Sequence, residues 1–231
     1  MTTPNSASPG FKVPFNIPGA PERVTFSELV DTAKPLVQNS LDSWQRKPGS
    51  FETALNNASW WHFWVLTGLS VLVSAICSTI NLLIVDAQVT RFLPGYSRGI
   101  FGIIIYLILA IPVGLLVFYF AAYASHWWAT KQAGGSASLV QHSYVIAVIW
   151  AGEVLITSVL GVLFTLIGLG FIWSLASLVI AIYALYLIAG NIRSLYQFQD
   201  GNQVWITAAV MVVASFLASL VLLGVLASIA R

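Results

Sequence analysis

From Trp60 to the end of the chain, hydrophobic positions gather into long runs with almost no charge among them. Crossing the hydrocarbon of a bilayer takes about 20 apolar residues in a helix, because the backbone must satisfy its own hydrogen bonds there. Five segments meet that requirement, at about 60–85, 99–124, 144–163, 170–189 and 205–230. The first ends before Asp86, in a predicted loop that carries Arg91, Pro94, Gly95 and Arg98. The second contains Pro112 and Gly114, tolerated in a membrane helix as a kink. A polar connection over 126–143 follows, with Lys131 and a run, Gly134, Gly135 and Ser136, that reads as a flexible loop. The apolar stretch 144–189 is too long for one span. It fits a hairpin of two, with Gly161, Gly168 and Gly170 supplying the turn.

The N-terminal quarter has a different pattern. Residues 1–22 carry Pro4, Pro9, Pro14, Pro18 and Pro21, hold no signal-peptide core and are predicted to be a disordered tail. Residues 23–58 form an amphipathic segment. Phe26, Leu29, Val30, Ala33, Val37, Leu41 and Trp44 recur at three- and four-residue steps, Thr25 and Glu28 are spaced as a capping box, and Pro35 predicts a kink. This helix either lies on a membrane surface or docks a partner, or else packs on the chain's own bundle. A second short helix is predicted from Ser50 through Phe51, Ala54 and Leu55. The fold class is therefore all-α: a polytopic membrane protein with a five-helix transmembrane bundle and an N-terminal amphipathic segment.

Composition strengthens this reading. Charged residues are 8% of the chain and hydrophobic residues 58%, whereas soluble domains carry roughly a quarter charged; lipid must replace water over much of the surface. The ten basic residues are scattered, which argues against a nucleic-acid partner. Cys77 is the single cysteine, so neither an internal disulfide nor a cysteine-type metal site can form. Basic residues near the span ends favour a cytoplasmic N-terminus, with Arg46, Lys47, Lys131 and Arg193 on that side against Arg91, Arg98 and Arg231. Trp60, Trp61, Trp64, Trp127, Trp128 and Trp205 all fall at one interface in a five-span order and are the candidate aromatic belt.

Candidate chemistry is sparse. Glu153 lies about nine residues into the third span, where a charged carboxylate costs about 2.5–3.5 kcal/mol on insertion scales. It is either a proton or cation site or a glutamate satisfied by nearby polar groups. His62, His126 and His142 fall near one interface but at spacings that match no metal motif. Gly134–Gly135–Ser136 lacks the second glycine of a nucleophile elbow, and no phosphate-cradling loop or acid pair is present. No catalytic residue, cofactor site or metal site is expected, and the chain reads as a non-enzyme. Small residues four apart, Ala110 with Gly114, Ala214 with Ala218, Ser215 with Ser219 and Gly224 with Ser228, would let helices approach closely, within the chain or between copies.

In order, several stretches resemble the Yip domain family, named for interaction with Ypt/Rab GTPases. These are Pro48–Gly49–Ser50–Phe51–Glu52 and Asn57–Ala58–Ser59–Trp60 before the first span, Gly134–Gly135–Ser136–Ala137–Ser138 before the third, the close third and fourth spans, and Tyr183–Ala184–Leu185–Tyr186–Leu187 leading through Gly201 to the last. The resemblance covers roughly residues 25–231 and is nearest to prokaryotic members. It departs from the family pattern at Gly152, where a proline is common, and at Gln203, where a lysine is often found. It implies five spans with a cytoplasmic N-terminus, in the plasma membrane of a prokaryote or in Golgi and ER membranes of a eukaryote. In eukaryotic members it also implies small-GTPase binding and roles in membrane traffic. Two functions stay open: a membrane scaffold or partner-binding protein, with the bilayer, a membrane-protein partner or a second copy as its contacts, and a small transporter or channel using Glu153.

Overall fold

The polypeptide builds five long apolar helices and lays two shorter ones across one end of them. The computed structural model describes residues 10–13, 17–92 and 99–229, with side-chain surroundings described over 10–13, 17–85 and 108–222. Within these residues α1 is Phe26–Trp44, α2 Ser50–Asn56, α3 Trp60–Phe92, α4 Gly99–Lys131, α5 Leu139–Leu166, α6 Gly170–Tyr196 and α7 Gly201–Ile229. Helices α3 to α7 are each long and apolar enough to cross a membrane, so the protein is an all-α, multi-pass membrane protein. The predicted loop residues Asp86 and Arg91 lie within α3, while Pro94, Gly95 and Arg98 lie outside the described residues.

Local sequence explains the ends of these elements. Thr25 Oγ1 accepts from Glu28 N at 3.2 Å and the Glu28 carboxylate accepts from Thr25 N at 2.7 Å, the reciprocal capping box expected from their spacing. Ser138 and Gln141 form a second one at the start of α5. Helix α5 stops where Gly168 takes φ +78°, with Leu169 N donating to Phe164 O and Gly168 N to Thr165 O, a Schellman termination. The hairpin turn is thus made by Gly168. Gly161 stays inside α5, where the Trp173 indole packs against it.

Ahead of α1, two residues on each side, Phe11–Lys12 (β1) and Arg23–Val24 (β2), pair antiparallel. Part of the segment expected to be disordered is therefore held against the start of α1; residues 1–9 and 14–16 of that tail lie outside the described residues.

The core centres on α5. Residues His142 to Ile149, followed by Ala151 and Gly152, are all buried. They are enclosed by α1, α3, α4 and α6, and α2 also touches α5. Large apolar side chains nearer the hairpin are instead exposed, as at Leu163, Leu166, Ile167, Phe171 and Leu175. From Ile149 to Ile167 is 18 residues, or about 27 Å of helix, close to the roughly 30 Å of hydrocarbon. The first turns of α5 are therefore enclosed in a protein collar made by α1, α2 and the neighbouring helix ends, and its exposed apolar surface lies toward the hairpin.

Candidate functional site

The collar is built around the contact between α1 and α5. Ser40 Oγ donates to the Val148 carbonyl, and Trp44 Nε1 donates to the Ile149 carbonyl at 2.7 Å. Both carbonyls belong to a continuous helix and use their second lone pair for these bonds. Close approach is possible because residue 152 is glycine; a Cβ there would collide with Cδ1 of Trp44. Tyr183 Oη completes the clamp by donating to the Trp44 carbonyl at 3.2 Å. At its other end α1 shares an apolar hollow with Trp61 of α3, through Phe26 and Leu29. Helix α1 therefore runs transversely from the start of α3, over α5, to α6.

Its buried face differs from the one read from periodicity. Leu36, Asn39, Ser40 and Ser43 are buried, while Leu29, Ala33, Val37 and Trp44 pack partly against the core. Phe26 is 72% exposed and Val30 46%. Polar side chains were invisible to a search for apolar stripes, and they can point inward here because α5 offers backbone carbonyls to bond. Asn39 Nδ2, Ser43 Oγ, Ser143 Oγ and Tyr144 Oη are buried with no partner among the described residues. Such groups usually hold ordered water.

Two of the three histidines come together in the same collar. Ser125 Oγ donates to the Ala122 carbonyl at 3.1 Å, so its oxygen accepts from His142 Nε2–H at 2.8 Å. His142 Nδ1 then accepts from Tyr196 Oη at 3.0 Å, and Tyr196 Oη accepts from His126 Nδ1–H at 2.8 Å. This proton order gives every atom in the chain one consistent role with both rings neutral. It ties α4, α5 and α6 together and ends on a backbone carbonyl. Ser125 and His142 are both 0% exposed; the serine hydroxyl is a donor to the backbone and faces no substrate space.

His62 is elsewhere, with Nδ1–H donating to Asn57 O at 2.7 Å across the α2–α3 turn. Among the described residues no group of three His, Cys, Asp or Glu side chains could hold a metal.

The glycine run over 134–135 packs against this assembly. Gly134 has φ +75°, Gly135 N donates to Ala129 O at 2.8 Å, and a Cβ at Gly135 would run into the Tyr196 ring. The run is a loop, as expected; the positive φ at Gly134 and the contact of Gly135 with the Tyr196 ring favour glycine at both positions.

Glu153 sits one residue beyond Gly152, half-buried. Its backbone carbonyl accepts from Thr157 Oγ1 at 2.7 Å, but its carboxylate has no hydrogen-bond or ion-pair partner among the described residues. It lines neither of the clefts of about 170 and 390 Å³ beside Ala110 and Gly114. Gly114 packs against Val71 of α3, and Ala110 and Gly114 share these clefts with Val71 and Ala75 of α3 and with Ser215 and Ser219 of α7. The side chains of Gly224 and Ser228 are outside the described set.

The six tryptophans differ in their surroundings. Trp60, Trp61 and Trp64 are half-buried; Trp64 stacks on Tyr119 of α4 at 5.9 Å, and Phe63 stacks on Phe118, which stacks on Trp150 at 4.4 Å. Trp128 follows Tyr119 by nine residues in the same unbroken helix, about 13 Å further along the axis. Trp127 and Trp205 are 47% and 51% exposed.

A groove of about 510 Å³ opens on the far side of the collar, between the α1–α2 corner and helices α6 and α7. Arg46, Lys47 and Arg193 line it, against one carboxylate, Glu52. No protein-family model matches this chain, and no curated protein and no solved structure is significantly similar to it.

Proposed function

We propose that this protein is a non-enzymatic, Yip-like membrane scaffold that organises the surrounding bilayer and its partners through the transverse helix α1. The order of the sequence motifs supports the family resemblance, and the position of α1 supports the mode of action. The observation that carries the reading is the two-sided character of α1. One face is bonded to the buried carbonyls of α5, while Phe26 and Val30 face outward beside Phe11, which is 72% exposed. An apolar edge held rigidly at the depth where the lipid core begins inserts into one leaflet. It displaces headgroups without crossing the membrane. On this reading the N-terminus is cytoplasmic, and a membrane-protein partner, a small GTPase in the manner of eukaryotic Yip proteins, or a second copy would meet the same collar.

A nitroxide at Val30→Cys, in a Cys77→Ser background in liposomes, reports the depth directly. Interfacial depth, together with loss of vesicle remodelling in Phe26→Glu/Val30→Glu, is the expected result. A fully aqueous label and unchanged remodelling would reject the proposal.

The unpartnered, half-buried carboxylate of Glu153 favours a second reading, a small proton- or cation-conducting protein. It requires a pH-dependent flux in liposomes that Glu153→Gln removes. Absence of flux in the wild type sinks it.

A further inference from the structure

We infer that the groove between the α1–α2 corner and α6–α7 is a binding site for the phosphate of an anionic phospholipid. Three kinds of observation converge on it. Its charge is unbalanced: Lys47 is already bonded to Asp42 at 2.6 Å, but Arg46 and Arg193 have no ion-pair or hydrogen-bond partner among the described residues. Arg46 holds a left-handed backbone, φ +53°, unusual for a residue with a side chain. Its guanidinium lies 5.8 Å over the Tyr186 ring, on the groove wall.

The groove also contains an unsatisfied buried donor. Ser43 is 7% exposed and lines the groove, and its buried Oγ has no partner among the described residues. A phosphate oxygen would accept from the guanidinium groups in the charge-assisted manner that suits arginine, and from the Ser43 hydroxyl once that side chain turns toward the groove.

Shape and depth select a lipid as the source of that phosphate. From Tyr186 to Arg193 the α6 wall rises about 10 Å, the scale of a headgroup layer. Tyr186 and Trp205, both half-exposed, line the groove, and aromatic residues of this kind are enriched at membrane interfaces. At Gly190 and Gly201 nothing lies within 4 Å of where a Cβ would stand, so the floor is open along its length. Basic pockets at helix ends on one side of a membrane hold lipid headgroups by this chemistry. The site goes beyond the scaffold reading and rests on none of its assumptions except that the chain spans a membrane.

Native mass spectrometry of the full chain in detergent tests the site, with phosphatidylglycerol, phosphatidylcholine and inorganic phosphate as separate probes. Wild type should retain phosphatidylglycerol over phosphatidylcholine. Arg46→Gln and Arg193→Gln should each weaken that retention by about fivefold, and Gly190→Leu should abolish it by filling the floor with every charge intact. Lys131→Gln removes an exposed charge outside the groove and should change nothing. Thermal melts identify any variant that loses its fold, and the remaining variants still decide the outcome. Equal retention of the two lipids, or undiminished retention in Gly190→Leu, overturns the inference. Displacement of the lipid by millimolar inorganic phosphate would make this a soluble-phosphate site and overturn it as well.

Discussion

The Trp44 indole donates to the Ile149 carbonyl at 2.7 Å and rests on Gly152, one turn further along α5. This contact turns an amphipathic segment, separable on paper, into a fixed part of the membrane domain. Gly152→Ala should therefore destabilise the protein by about 1–3 kcal/mol through overpacking and expose α1 to protease. In a double-mutant cycle, Trp44→Ala should remove most of the alanine's effect. Strictly additive losses in melting experiments would mean that the two residues do not meet.

Tyr196→Phe deletes one oxygen from the His126–Tyr196–His142–Ser125 chain and leaves His142 Nδ1 buried without a donor. A loss of about 1–3 kcal/mol is expected, with slower-forming or weaker association of α6 with α4 and α5 seen by hydrogen exchange. Wild-type stability would show that a buried water replaces the phenol.

Acidification should loosen α1 first. The backbone N–H of Thr25, and then its hydroxyl, hold the Glu28 carboxyl below its ordinary value of 4.5, and the Lys47 ammonium, helped by Gln38, holds Asp42 below 3.8. Both groups bind fewer protons folded than unfolded. Their contribution is complete above the unfolded values and fades as pH falls through the folded ones. Amide exchange at the two ends of α1 should rise below about pH 4.5, and Glu28→Ala should remove that dependence at the N-terminal end. Thr25→Ala should cost α1 about 1 kcal/mol at neutral pH.

Glu153→Leu should leave the protein as stable as wild type or more so, because an unpaired carboxyl in a span is unfavourable, by about 2.5–3.5 kcal/mol when charged. A marked drop in melting temperature would reveal a partner, within the chain or in a second copy.

Topology is open to labelling. In a Cys77→Ser background, Ser27→Cys and Ser136→Cys should react from one side of the membrane and Ile167→Cys only from the other. Labelling of all three from one side is incompatible with α5 and α6 as spans.

The sequence by itself determined the class, because five apolar runs of sufficient length, with Glu153 their one charged residue, have no stable place except a bilayer, and the helix caps, because Thr25–Glu28 and Ser138–Gln141 act through neighbours three residues away. Tertiary structure decided what depends on helices distant in sequence. Periodicity assigned Phe26 and Val30 to the apolar stripe of α1, but the docked face carries Asn39, Ser40 and Ser43, since α5 supplies carbonyls that no local pattern records. His126 and His142 are joined by Tyr196, a residue 54 positions beyond His142. The closeness of Gly135 to the Tyr196 ring is likewise a contact between segments about 60 residues apart. Counting spans puts the six tryptophans at one interface; the offset between Trp64 and Trp128 follows from how α3 packs on α4. Charge and period are properties of the chain read in one dimension, whereas the clamp, the relay and the basic groove exist only where separate helices meet.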